Sequence, residues 1–172
     1  MPAKSFVRRV AGVWKEFLGV VVSTGAANAG DIPAFDDTGR LDISVMPQGF
    51  GSDTKVVAAS EALSAGDLVN VYNNAGTVAA RKADGSAEGK EANGFVLASV
   101  ASGAQATVYF GRVLSGLSGL TIGARYYLSA TTAGAVTATP ATGAGKIDQY
   151  IGKAISATEI AFEPDDYLVK AA

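Results

Sequence analysis

The chain has 172 residues, of which 48% are hydrophobic and 17% charged, against a usual charged share of about 25%. It holds no Cys and no His, which removes disulfides, thiolate chemistry, the commonest general base and the commonest metal ligand together. A net charge of −2 leaves no electrostatic footprint for a phosphate backbone, so nucleic-acid binding and most catalysis are disfavoured, and no cofactor or metal is expected.

Ala (32) and Gly (21) make up close to a third of the chain, so small side chains supply much of the apolar total. A chain of this length can bury roughly 70% of its unfolded surface without covalent staples.

Residues 1–22 read as an N-terminal amphipathic helix. Phe6, Val10, Val13, Trp14, Phe17 and Val21 recur at spacings of three and four, the period of one helix face. Lys4, Arg8, Arg9 and Lys15 against Glu16 give the segment +3, leaving −5 for residues 23–172. Alone, such a helix is marginal in water. Its aromatic stripe therefore needs a surface: its own domain, a second copy or partner, or a membrane face. The longest uninterrupted apolar stretch, Phe17 to Val22, has six residues. A secretory core needs roughly 7–15 and a spanning helix about 20, so neither a signal peptide nor a membrane helix is expected. Lacking Cys, the chain has no need of an oxidising compartment.

Residues 23–53 read as an extended arm. Ser23 to Gly30 is small and polar without helical or strand period, and Pro33, Gly39, Pro47, Gly49 and Gly51 interrupt any longer element. Ile32–Phe35 and Leu41–Val45 could each supply one short strand. Asp36-Asp37-Thr38-Gly39 is a turn, with Asp to bond the backbone and Gly for positive φ.

From residue 54 to 172 the pattern is β. Leu68–Tyr72, Gly94–Val100, Ala106–Phe110, Arg125–Ser129, Tyr150–Ile155 and Glu159–Phe162 are short runs rich in β-branched and aromatic residues. Asn73-Asn74-Ala75-Gly76 and Thr132-Ala133-Gly134 are hairpin turns, and the charged stretch Ala83 to Asn93 reads as an exposed loop. The class expected is a small β-sandwich or barrel.

These runs repeat. Leu63 to Val71 aligns with Leu120 to Leu128, each a Leu, two residues, a Gly, two residues and a strand. Asn74–Val78 then aligns with Thr132–Val136, Gly94–Ala98 with Tyr150–Ala154, and Thr107–Phe110 with Glu159–Phe162. The pseudo-repeats cover about 60–110 and 117–163, and imply a duplicated domain with an approximate two-fold.

Chemistry-bearing clusters are few. Asp36, Asp37 and Asp42 surround a Gly but lack the alternation and closing Glu of a calcium loop. Glu163-Pro164-Asp165-Asp166 reads as a solvated exit from the last strand. Gly111 to Gly123 holds several glycines without a phosphate-loop Lys. Arg81-Lys82 and Tyr126-Tyr127 read as residues on alternate faces of a strand.

Two stretches resemble known proteins. Val20 to Asp42, leading into Ser44-Val45-Met46-Pro47, resembles the "Asp, x-x-Gly, x-Leu-Asp, x-Ser, x-x-Pro" arm near the N-termini of tailed-phage virion proteins. Gly119 to Ser129, followed by Gly134, Pro140 and Tyr150–Ala154, is similar to a strand module of phage head-decoration, head-fibre and tail-fibre proteins. Together they cover about half the chain. The resemblance implies a non-enzymatic virion protein, a capsid decoration, cement or head-fibre component assembled in the host cytoplasm. It further implies a homo-oligomer, a trimer being favoured, seated on the major capsid protein at the capsid exterior, away from nucleic acid and membrane. No catalytic or ligand residue carries over. The interface expected for oligomer or particle is Phe6, Val10, Trp14, Phe17, Val21, Phe35 and Leu41. A tail-fibre or tail-tip protein contacting a host receptor is the alternative, although the chain is short and has no long fibrous repeat. A lectin or carbohydrate-active enzyme would need clustered carboxylates beside exposed aromatics, and here they are dispersed.

Overall fold

The computed structural model describes residues 5–46 and 53–171. Lys4, Pro47, Gly49 and Gly51 lie outside the described residues. The chain divides into two compact units, Met1–Gly51 and Ser52–Ala172.

The N-terminal unit corrects the expected helix. Strands β1 (Ser5–Val10) and β2 (Val13–Leu18) form an antiparallel hairpin. Ala11 and Gly12 both have positive φ, 50° and 85°, the conformation of a two-residue type I′ turn, whose twist matches that of the strands. The spacing misleads for a geometric reason. Val10 and Val13 are three apart, as on a helix, yet they also face one another across the turn, and Phe6 faces Phe17 in the same register.

Beyond the hairpin the backbone runs through short turns. Val20 makes one parallel bridge with Pro33, its N–H donating to Ile32 O at 3.0 Å and its carbonyl accepting from Ala34 N at 2.9 Å. The strand expected at 32–35 is reduced to that bridge. The one expected at 41–45 is replaced by a 3₁₀ turn over Ile43–Val45, with a second at Ala26–Asn28.

The larger unit begins with a closed five-stranded barrel. Its strands are β3 (Thr54–Ala59), β4 (Leu68–Asn74), β5 (Thr77–Lys82), β6 (Gly94–Phe95) and β7 (Gln105–Tyr109), arranged β3-β5-β4-β6-β7. β3 closes the ring, antiparallel to β7 and parallel to β5. Ala75 and Gly76, at φ 51° and 90°, form the β4–β5 turn. A second sheet is built from β8 (Arg112–Leu114), β9 (Arg125–Leu128), β10 (Val136–Thr137), β12 (Tyr150–Ala154) and β13 (Ile160–Phe162). Between β10 and β12, β11 (Ile147–Asp148) pairs with β14 (Leu168–Val169). β3, β5, β8, β10, β11 and β14 have no counterpart among the runs expected from sequence, being alanine-containing or very short.

The second sheet is ordered β10-β9-β12-β13-β8. Replacing each strand by its counterpart in the first half gives β5-β4-β6-β7-β3, the barrel order. The hydrogen bonds correspond as well. Gly66 N donates to Val96 O at 2.9 Å and Val96 N to Asp67 O at 3.0 Å; Gly123 N donates to Ala154 O at 2.8 Å and Ala154 N to Ala124 O at 3.0 Å. Leu63 N bonds Val100 O, and Leu120 N bonds Ala157 O. Val69 faces Gly94 and Tyr126 faces Gly152. The structure thus matches Gly94 to Gly152, two residues away from the alignment that sequence suggested for these strands.

Two apolar clusters result. The barrel interior holds Val57, Ala59, Leu63, Val69, Ala80, Val96, Ala106 and Val108. Leu68 and Phe95, neighbours across β4 and β6, belong instead to the other cluster, with Leu114, Leu128, Ile147, Ile151, Ile160 and Phe162. Phe95 stacks on Tyr109 at 5.5 Å and meets Phe162 edge-on at 5.1 Å. Each such side chain contributes about 1.5–3 kcal/mol when fully buried. Buried Gln149 joins the halves: its Oε1 accepts from Ala92 N at 2.8 Å and its Nε2 donates to Ala92 O at 3.0 Å.

Two predictions follow from this packing. A Cβ at Gly94 would stand 2.6 Å from Tyr109 O, and one at Gly152 would meet the Ala161 carbonyl and, at 2.7 Å, Ile160 Cγ2. G94A and G152A are each expected to destabilise by about 1–3 kcal/mol or more in urea unfolding, and an unchanged midpoint would refute the close approach. Asp84 gives a pH effect. Its partial burial works against ionisation, but hydrogen bonds from the Ser86 backbone and side chain, with Lys90 at 3.7 Å, outweigh this and hold its carboxyl below the usual range. A carboxylate with a depressed pKa stabilises above its unfolded value and loses that contribution as pH falls through the folded one. The stability gap between wild type and D84N should therefore close below about pH 4, as read by thermal melting.

Candidate functional site

The hairpin distributes the expected interface residues over two faces. Phe6, Arg8 and Val10 lie with Val13, Lys15 and Phe17 on one; Ser5, Val7 and Arg9 lie with Trp14, Glu16 and Leu18 on the other. Phe6, Val10 and Phe17 thus stay together, while Trp14 is separated from them. The Phe6 and Phe17 rings stack at 5.8 Å, and the Arg8 guanidinium lies 4.3 Å over the Phe17 ring. This face is partly consolidated by its own contacts.

On the opposite face Val7, Trp14 and Leu18 are 61%, 70% and 64% exposed. The stripe read on a helical period runs through Phe6, Val10, Val13, Trp14, Phe17 and Val21, so sequence reasoning passes over Val7 and Leu18. The signal that finds them is strand alternation on either side of Ala11-Gly12. Val21 is half-buried after β2, and Phe35 and Leu41 are exposed among the turns. None of the described side chains between residues 5 and 46 is buried.

Polar side chains bonding nearby backbone hold those turns. Asp36 Oδ1 accepts from Thr38 N at 2.8 Å, Thr38 Oγ1 at 2.8 Å and Arg40 N at 2.9 Å. Asn28 Oδ1 accepts from Thr24 N at 2.7 Å, and Asn28 Nδ2 donates to Asp31 at 3.1 Å. Ser23 N donates to Ser44 Oγ at 2.8 Å. Asp42 accepts from Ser44 N at 2.9 Å, and hydrogen bonding from the Ser44 side chain, then its backbone, holds the Asp42 carboxyl below its usual range. A shallow pocket of about 180 Å³ lies between Val20, Ser23, Asn28, Asp31, Pro33, Ser44 and Val45.

The acidic cluster read from sequence is therefore a set of Asx-type turns. Among the described residues no group of three or more acidic side chains is placed to hold a metal ion. In the larger unit, Arg81 lies 4.1 Å over the Tyr72 ring and bonds Asn70 and Gly89. Tyr126 is buried, its hydroxyl accepting from Thr121 N at 2.9 Å, while Tyr127 packs on Tyr150. These groups serve packing and backbone satisfaction. Comparison with protein-family models, with curated proteins and with solved structures finds no match.

Asp36 organises its turn through three donors, so D36A should open the 36–40 backbone. The expected result is faster proteolytic cleavage within that turn, with the melting transition of the larger unit unchanged. Equal cleavage rates would show that the turn is held by other contacts.

Proposed function

We propose that this chain is a non-enzymatic structural protein of a tailed-phage virion, a capsid decoration or head-fibre component. In this reading the N-terminal unit carries self-association and attachment to the major capsid protein at the particle exterior. The observation that carries it is the contrast between the two units. Residues 53–171 bury two apolar clusters, whereas no described side chain of residues 5–46 is buried and several large apolar ones are exposed. A segment of that kind gains its packing from a surface outside itself. The resemblance of Val20–Pro47 to virion-protein arms supports the same assignment.

We also read the larger unit as an internal duplication, on the strength of the shared strand order and the paired Gly66 and Gly123 hydrogen bonds. A rigid tandem β body is suited to a repetitive particle surface. It needs none of the convergent titratable groups that an active site requires.

Full-length protein should co-sediment with capsids, and residues 52–172 alone should fold but remain in the supernatant. A label on the C-terminus should decorate the head by electron microscopy. Retention of capsid binding by the truncated body would overturn the role of the N-terminal unit. A label confined to the tail tip would replace the head assignment with a receptor-binding one.

A further inference from the structure

We propose that the hairpin face bearing Val7, Trp14 and Leu18 is where two copies of this chain meet, Arg9 of each copy opposite Glu16 of the other. The proposal rests on the N-terminal unit being the associating part of the molecule, and specifies both the face and the occupant.

The argument starts from the register. Along this face the cross-strand pairs are Ser5–Leu18, Val7–Glu16 and Arg9–Trp14. Three apolar side chains, all more than half exposed, thus share one face with a single cation and a single anion in adjacent pairs. A two-stranded hairpin by itself is marginally stable in water. The other face already stacks Phe6 on Phe17 beneath Arg8 and leaves Val13 exposed on a face that also carries two cations, Arg8 and Lys15, so the larger apolar surface left to cover lies here. The Arg9 side chain is oriented by its own turn, Nε donating to Gly12 O at 3.1 Å, and Glu16 makes no ion pair among the described residues.

The charges select the occupant. A basic surface would meet Glu16 favourably but repel Arg9, and an acidic surface would do the reverse. A lipid surface would have to bury the Glu16 carboxylate beside Trp14 without a partner, which desolvation strongly disfavours. A second copy of the same face, related by a two-fold, offers an anion to Arg9 and a cation to Glu16 in one arrangement. That is the self-complementarity of an isologous contact, with the aromatic residue enriched at such interfaces near its centre.

The test uses the full-length chain and sedimentation velocity across a concentration series. Wild type should dimerise. R9E and E16R should each weaken self-association about tenfold or more, and R9E/E16R should restore it to within about threefold of wild type. Mixing R9E with E16R should produce a heterodimer tighter than either homodimer, because one face is then wholly acidic and the other wholly basic. W14S should dissociate the dimer while the thermal transition of the larger unit stays in place, which separates lost contact from lost folding. Monomeric wild type at about 100 μM, a trimer, or a double variant no tighter than the single ones would overturn the proposal. Capsid co-sedimentation distinguishes this failure from that of the functional reading. A wild-type monomer that still sediments with capsids would sink the dimer alone.

Discussion

A ring closed by five short strands leaves little room inside, and the rest of the larger unit depends on that limit. Ala59, Ala80 and Ala106 line the interior beside Val57, Val69 and Val108, because narrow barrels are filled by small and branched side chains. The alanine-rich composition finds part of its explanation there. Larger residues of the same strands must then point outwards. Leu68 and Phe95 do so, and being fully buried they require cover from elsewhere in the chain. The second sheet supplies it through Leu128, Ile151 and Phe162. The outside of one half is therefore part of the core of the other, and the two halves stabilise each other through a shared surface.

The N-terminal unit is held together on different terms. Its turns are fixed by short polar side chains bonded to nearby backbone: Asp36 to residues 38 and 40, Asn28 to Thr24, Asp42 to Ser44. Such bonds each contribute about 0.5–1.5 kcal/mol net and exclude little water. They shape a surface without creating an interior. Apolar side chains on that surface are left exposed, and on one hairpin face they stand beside a single cation, Arg9, and a single anion, Glu16.

Much of the β body was legible in the sequence because its turns are written in residues with one structural use. Gly66 and Gly123 take φ near 88° and 82°, and each is followed by a strand, so the repeated pattern from Leu63 and from Leu120 could be read directly. The register of β6 against β12 could not. Gly94 and Gly152 correspond because each lies against a neighbouring strand's carbonyl and side chain, a tertiary constraint with no local signature. The hairpin was misread for the opposite reason, since local pattern was ambiguous there. Six apolar residues at spacings of three and four satisfy a helix, and only the positive φ of two adjacent residues, Ala11 and Gly12, decides for strands. Trp14 was named as part of a helical stripe and is 70% exposed on a strand face instead, where Val7 and Leu18, left out of that stripe, stand beside it.

The two halves differ in whether their outer strands meet, and Ser60 and Leu117 stand at that difference. In the first, Ser60 follows β3 and reaches across to β5, both its N–H and its hydroxyl donating to Ala80 O, at 2.8 and 3.1 Å. These bonds extend the ladder in which Ala58 faces Ala79 and Ala59 faces Ala80, which closes the ring. By the offset that matches Leu63 to Leu120, the corresponding residue is Leu117. A leucine has no hydroxyl to donate, and its N–H bonds Thr158 O at 3.2 Å instead. Its side chain packs against the shared cluster, so the same position that stitches one ring serves the core in the other. β8 and β10 are the two edges of an open sheet, and a shallow cleft of about 280 Å³ lies between Ala65 and Asp67 of the first half and Leu117, Leu120 and Val136 of the second. Strand order is thus common to the two halves, while the ring closes only in the half where a backbone ladder joins β3 to β5.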